Sequence, residues 1–200
     1  MSDATTKTES KPLPAHGFCH RCGTAYAALT WPRSCGACNS QTYQNPQPVG
    51  VAFIPVHDGQ KMIGFVGVLR GLADGFGKWA PPGGFAEMRE SLEANGVREG
   101  GEEAGIFATG AELQLSLPTP HGQILAFSLT DAIHADELRN AKPQEGEILD
   151  VGLLARGQPL AFPLHDQAME ALWEKAEARV LKQLADAKAQ PAARRSAGPR

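Results

Sequence analysis

Two apolar runs, VGVAFIPV at 49–56 and KMIGFVGVLR at 61–70, stand on either side of His57-Asp58-Gly59. Runs of this length, rich in Val and Ile and split by a turn signal, predict a pair of strands. ILAFSLTD at 124–131 and EILDVGLL at 147–154 read the same way. After the second run comes a Gly/Pro-rich loop, GLADGFGKWAPPGGF, and then a charged stretch that predicts a helix over 91–104, stopped by Gly105. A last helix is predicted over 166–187. Its Met169, Leu172, Trp173, Ala176, Val180 and Leu184 recur at helical spacing and should face a core. Strands interleaved with helices point to an α/β sandwich.

The same pattern divides the chain. Residues 1–15 are polar and 188–200 are rich in Ala, Pro, Gly and Arg, so both are expected to be disordered tails. A cysteine segment at 16–45 precedes the main domain at 46–187, with Asn45-Pro46-Gln47-Pro48 read as a turn or short linker.

Composition narrows the function classes. The chain has 42% hydrophobic and 20% charged residues and a net charge of −3. That charge offers no general attraction to a nucleic-acid backbone, so nucleic acid is not an expected partner. No stretch reaches the ~20 apolar residues of a membrane span, so no membrane partner is expected. The polar start, MSDATTKTESKP, lacks the apolar centre of a secretory signal. A cytoplasmic location is the default expectation, and a homodimer is left open.

All four cysteines fall between positions 19 and 38, as Cys19-x-x-Cys22 and Cys35-x-x-Cys38. Two such knuckles supply four thiolates for a tetrahedral Zn²⁺, with Gly23 and Gly36 expected to give the turns their backbone freedom. A segment this short buries too little apolar area to fold alone, so the metal would supply its folding energy. Four protein ligands leave no open position, so this zinc is structural. His16 and His20 nearby read as surface residues.

The candidate chemistry lies in GGFAEMRESLEANGVREGGEEAGI, residues 83–106. Glu99, Glu102 and Glu103 stand at i, i+3 and i+4, which places three carboxylates on one helix face. Such like charges repel unless a cation sits among them, and hard oxygen ligands suit Mg²⁺ or Mn²⁺. A solvated acidic face is the other reading.

This stretch resembles the Nudix hydrolase signature at Gly84, Glu90, Arg98, Glu99, Glu102, Glu103, Gly105 and Ile106, which are all its fixed polar and glycine positions. Gly100 stands where an aliphatic residue is usual, and Arg89 where many members carry glycine. The resemblance implies that Glu99, Glu102 and Glu103 hold divalent metal, helped by the Gly84 carbonyl, while Arg98 and Glu90 orient them. It also implies the fold: an α+β protein, the Nudix α/β/α sandwich around a mixed sheet, preceded here by the small four-cysteine ribbon. Gly96, Gly100 and Gly101 within the helix should each cost about 1 kcal/mol relative to alanine.

The general base is not contained in the box. KPQEGEILD offers Glu145, Glu147 and Asp150, and Glu147-x-x-Asp150 looks like a second acidic pair that several relatives carry. Glu147 is the candidate base, with an ordinary charged loop as the other reading. Arg70 is a candidate phosphate contact, and Phe76, Trp79 and Phe85 are candidates to stack on a base or flavin, core packing being as good a reading for Trp79.

Over residues 18–175 the order of segments is similar to zinc-ribbon FAD and ADP-ribose pyrophosphatases. The neighbouring NADH pyrophosphatases carry a SQPWPFP segment where this chain has Leu115-Ser116-Leu117-Pro118-Thr119-Pro120. The resemblance implies cleavage of a nucleoside diphosphate derivative, of ADP-ribose or FAD type, to AMP and a phosphorylated moiety. An NADH/NAD-type pyrophosphatase is one alternative. A non-catalytic nucleotide-sensing module is another, although no box glutamate is missing.

Overall fold

The computed structural model describes residues 17–189, and the chain divides into two compact units at Asn45/Pro46. The tail expected at 1–15, His16 and residues 190–200 lie outside the described residues, while Lys188 and Ala189 of the tail expected at 188–200 belong to the last helix. In the first unit, β1 (Arg33–Ser34) pairs antiparallel with β2 (Gln41–Thr42).

The second unit begins with β3 (Gln47–Phe53), so Gln47 and Pro48 belong to a strand and not to the expected linker. The apolar run expected as one strand is two. β3 ends at Phe53 and β4 (Pro55–His57) joins the other sheet, because Pro55 lacks the N–H needed to continue the first ladder. Then come β5 (Met62–Arg70), β6 (Trp79–Ala80), β7 (Gly83–Phe85) and α1 (Leu92–Ala104). β8 (Glu112–Pro118), β9 (Gln123–Leu129), β10 (Ile133–His134), α2 (Ala135–Leu138), β11 (Ile148–Leu154) and α3 (Pro163–Ala189) complete the chain.

The strands form two mixed sheets. One runs β7-β3-β9-β8, with β3 and β9 parallel. The other runs β10-β4-β5-β11, with β6 also on β5. β6 and β7 lie within what reads as loop; each is only two or three residues long and gains its shape by pairing with β5 or β3. β8 is an edge strand with an exposed face, which explains its weak apolar signal.

Alternate residues of β3 serve different cores. Val51 and Phe53 join Phe65, Phe127, Leu172 and Trp173 under α3, while Ala52 and Ile54 join Val66, Val68 and Ala104 under α1. Burial on both faces is why this strand shows no polar alternation in the sequence. The five larger residues of the α3 stripe and Ala176 all pack in or against the first core. α3 starts three residues earlier than expected, with Pro163 in its first turn, where a missing N–H is tolerated.

α1 begins at the Ser91 cap, whose side chain accepts from Ala94 N, and ends at Gly105 with φ 68°. Its internal glycines are explained by close packing. A Cβ at Gly96 would meet Val51 and Ala52 of β3 at 3.3 Å, and one at Gly100 would meet Ile54 Cδ1 at 3.1 Å. The helix gives up propensity there to lie directly on β3. Arg89 is left-handed, with φ 75°, in the turn before the cap. That conformation disfavours a side chain by about 1–2 kcal/mol. Arg89→Gly should therefore raise stability by up to about 1 kcal/mol after the greater unfolded freedom of glycine is subtracted. Thermal melting should show a midpoint about 2–4 °C higher; an unchanged or lower midpoint would contradict this.

Candidate functional site

In the first unit, Sγ of Cys19 lies 3.7 Å from that of Cys38, and Sγ of Cys22 lies 3.5 Å from that of Cys35. The four ligand atoms all fall within 4.8 Å of one another. Tetrahedral zinc at a Zn–S distance of ~2.3 Å needs sulfurs ~3.8 Å apart, so the donor set fits. The N–H groups of Arg21 and Cys22 donate to Cys19, and those of Ala37 and Cys38 to Cys35. These bonds favour the thiolate form, and Cys19 is lowered to about 5, whereas burial and the neighbouring Cys22 and Cys38 thiols push Cys35 up to about 11. The left-handed positions are Gly23 (φ 73°) and Asn39 (φ 55°), each directly after the second cysteine of its pair. Gly36 is not left-handed, which corrects the sequence expectation; the second knuckle uses asparagine, the side chain that best tolerates that region. His20 is held by Thr42 Oγ1 at 2.9 Å.

In the second unit, a cleft of about 490 Å³ opens between the end of β5, β7, one face of α1 and the loop before β11. Arg70, Gly84, Phe85, Arg98, Glu99, Glu103 and Glu147 line it. These elements are tied together by backbone bonds. Lys142 N and Gln144 N donate to the Ala104 and Glu103 carbonyls at the end of α1, and Gly71 N donates to Glu147 O at 2.7 Å. The helix end, the β5 end and the Glu147 loop are thus one assembly. A larger hollow of about 770 Å³ beside β8 and α3 holds none of the box residues.

Arg98 organises the acids. Its Nε meets Glu90 Oε1 at 3.0 Å, Nη2 meets Glu99 Oε1 at 2.7 Å, and Nη1 meets Glu102 Oε2 at 2.6 Å. Its Nη2 also donates to the Phe85 carbonyl at 3.2 Å. The Arg98 hydrogen bond is the main reason the Glu90 carboxyl lies below its ordinary range. Glu103 is different. It is buried, its Oε2 accepts from Gly83 N at 3.0 Å, and burial pushes its pKa up to about 7 against the help of that bond. Glu99 is raised too, again chiefly by burial. Carboxylates that resist ionising side by side are hard oxygen donors of the kind a divalent cation takes, although among the described residues only the four cysteines bring their ligand atoms close enough together to form a metal cluster. Gly84 lies beside them: a Cβ there would stand 2.5 Å from Glu99 Oε1, so that carboxylate lies against bare backbone.

Arg70 takes no carboxylate partner among the described residues. Its Nε donates to Asp74 O at 2.9 Å, and its guanidinium lies 5.1 Å from the Phe162 ring centre. Glu147 lines the cleft, whereas Glu145 and Asp150 do not. Asp150 accepts from Val151 N. Phe85 lines the cleft and is 54% exposed, so its ring is free to stack. Trp79 is outside the cleft lining; it packs against the core, with its ring over Gly152. Phe76 is exposed and also outside it. Sequence reasoning missed Asn95, wholly buried on α1, and Phe162, which sits against Arg70. An asparagine in a helix interior was the available signal for the first.

Comparison with solved structures decides the fold. A Nudix hydrolase from Nitrosomonas europaea matches with a TM-score of 0.59 at 23% identity, over 79% of this chain and 90% of its own. The fold is that of the Nudix hydrolases. The Nudix domain of Shewanella oneidensis NrtR, determined with ADP-ribose, matches with a TM-score of 0.56 at 20% identity, over 66% of this chain and 90% of its own. A bifunctional NMN adenylyltransferase/ADP-ribose pyrophosphatase from Francisella tularensis, determined with AMP and manganese, gives 0.52 at 20% identity. That match covers 67% of this chain and 43% of the other. No protein-family model and no curated protein matches the chain. Among the described residues, no helix is long and apolar enough to cross a membrane.

Proposed function

We propose that this protein is a metal-dependent Nudix hydrolase that cleaves the diphosphate linkage of a nucleoside diphosphate derivative, of ADP-ribose or FAD type. The observation that carries this reading is the convergence of Glu99, Glu103, Gly84, Arg70 and Glu147 on one cleft. ADP-ribose in the NrtR domain and AMP with manganese in the Francisella enzyme support the substrate class.

In this reading Glu99, Glu102, Glu103 and the Gly84 carbonyl hold the divalent ion. When bound, such an ion neutralises the diphosphate and lowers the pKa of an attacking water. Arg98 and Glu90 keep the glutamates in place. Arg70 offers its unpaired fork to a phosphate oxygen, held open by Phe162 and the Asp74 carbonyl. Phe85 presents a ring to the base, and Glu147 takes the proton from water. Zinc in the ribbon is structural.

The test is a panel of ADP-ribose, FAD, NADH and nucleoside triphosphates with Mg²⁺ or Mn²⁺. AMP with ribose 5-phosphate or FMN is the expected product set. Tight binding of ADP-ribose with no turnover under either metal would replace this reading with a nucleotide-sensing module.

Glu147→Gln should lower kcat by about 10²-fold with KM nearly unchanged, and remove the acidic limb of the pH profile. Glu145→Gln, in the same loop but outside the cleft, is the control. An equal loss in both variants would assign the effect to loop folding.

A further inference from the structure

Most of the cleft lining is charged or glycine, yet two large apolar side chains stand open within it. Leu72 is 42% exposed and Phe85 is 54% exposed. A single exposed leucine is ordinary on a protein surface, but two large apolar side chains bare in one charged cleft mark a contact surface. Covering them with a ligand is favourable, so the cleft keeps that gain for whatever enters it.

Both side chains stand on anchored backbone. Leu72 follows β5, and just before it Gly71 N donates to Glu147 O at 2.7 Å. A Cβ at Gly71 would stand 2.9 Å from that same oxygen, so glycine is what lets the chain pass so close. Two further bonds close the 71–78 loop on Arg70: Arg70 N donates to Lys78 O at 3.0 Å, and Gly77 N donates to Arg70 O at 2.8 Å. Phe85 ends β7, where its carbonyl accepts from Asn95 Nδ2 and Arg98 Nη2, both at 3.2 Å. Leu72 and Phe85 thus reach the cleft from the ends of strands in different sheets. Apolar surface held in place beforehand loses little freedom on binding.

The charges of the same cleft restrict the partner. Arg70 has no carboxylate partner among the described residues, and it lies beside Leu72 in the chain. A ligand that satisfies both joins an anionic group to an apolar one. An aromatic face such as that of Phe85 is best covered by a second flat ring, and a leucine packs against the same ring. We propose that Leu72 is a specificity-determining residue: with Phe85 it forms an apolar seat for the flat ring of the substrate. This rests on the hydrolase reading above and adds to it the side chain that separates ring-bearing ligands from plain sugar phosphates.

The experiment is calorimetric titration of the full chain with AMP, FMN and ribose 5-phosphate in the presence of Mg²⁺. Leu72→Ser should weaken AMP or FMN binding about tenfold and change ribose 5-phosphate binding by less than about twofold. Leu72→Met, which keeps an apolar side chain of similar size, should bind all three as the parent does. Both variants should keep the parent's melting temperature, since Leu72 belongs to neither core. Weakening for AMP alone assigns the ring as adenine, for FMN alone as flavin, and for both as either. Unchanged AMP and FMN affinity in Leu72→Ser overturns the proposal, as does a parent chain that binds neither. Equal weakening of all three ligands also overturns it, by placing the effect in the backbone around Arg70. So does a loss in Leu72→Met as large as that in Leu72→Ser. The hydrolase reading fails separately, through absence of turnover across the substrate panel, and Leu72-dependent ring binding then stands as nucleotide recognition alone.

Discussion

Glu103→Gln should lower hydrolysis by about 10³-fold and yet make the protein more stable at pH 8 when no Mg²⁺ or Mn²⁺ is added. The activity loss follows from replacing a hard anionic ligand with an amide, on the scale of several kcal/mol that a catalytic metal supplies. The stability gain follows from burial. The Glu103 carboxyl is raised from 4.5 to about 7 in the folded chain. Below about pH 4.5 it is protonated in both states. Between there and pH 7 the unfolded chain loses the proton first, so stability drains away as pH rises and is lowest above the folded value. A difference of this size corresponds to roughly 3 kcal/mol. Glutamine does not titrate, so the melting-temperature difference, variant minus parent, should widen across that window, the other titrating groups being common to both. Added Mn²⁺ should reverse the order by stabilising only the parent. A variant–parent difference that stays constant or shrinks between pH 5 and 8 without metal would overturn the assignment of a strained carboxylate.

The second large effect concerns the ribbon. Purified protein should contain about one zinc per chain, and Cys35→Ser should lose it. Structural zinc contributes about 10–16 kcal/mol of apparent folding free energy in small metal-held modules. The first unit has two-residue strands and few buried apolar residues besides Cys19 and Cys35, so nothing else replaces that contribution. Proteolysis should cut the variant within 17–45, while the second unit keeps its cooperative melting on its own core. A metal-free ribbon that resists protease would refute the assignment.

Much of this was legible in the chain because it is written in local spacing. Cys-x-x-Cys twice over specifies four thiolates. Glutamates at i, i+3 and i+4 on a helix with a Ser91 cap and a Gly105 stop must share a face, and the α3 stripe must face a core. Those are consequences of helix period and turn chemistry, which a few neighbouring residues decide.

What spacing could not reveal depends on residues brought together from far apart. The sequence offered three acids for the cleft, and only the docking of the 142–147 loop on the end of α1 selects Glu147. Trp79 and Phe85 read alike as loop aromatics. Pairing of β6 with β5 turns one over Gly152, and pairing of β7 with β3 leaves the other in the cleft. The glycines of α1 looked like lost helix propensity until β3 was seen to lie within van der Waals reach. By itself the sequence determined the two modules, the carboxylate face and the four-cysteine cluster, since each is set by short-range geometry. The tertiary structure alone decided which acid reaches the cleft and which arginine there lacks a carboxylate partner among the described residues, because burial and long-range pairing set those.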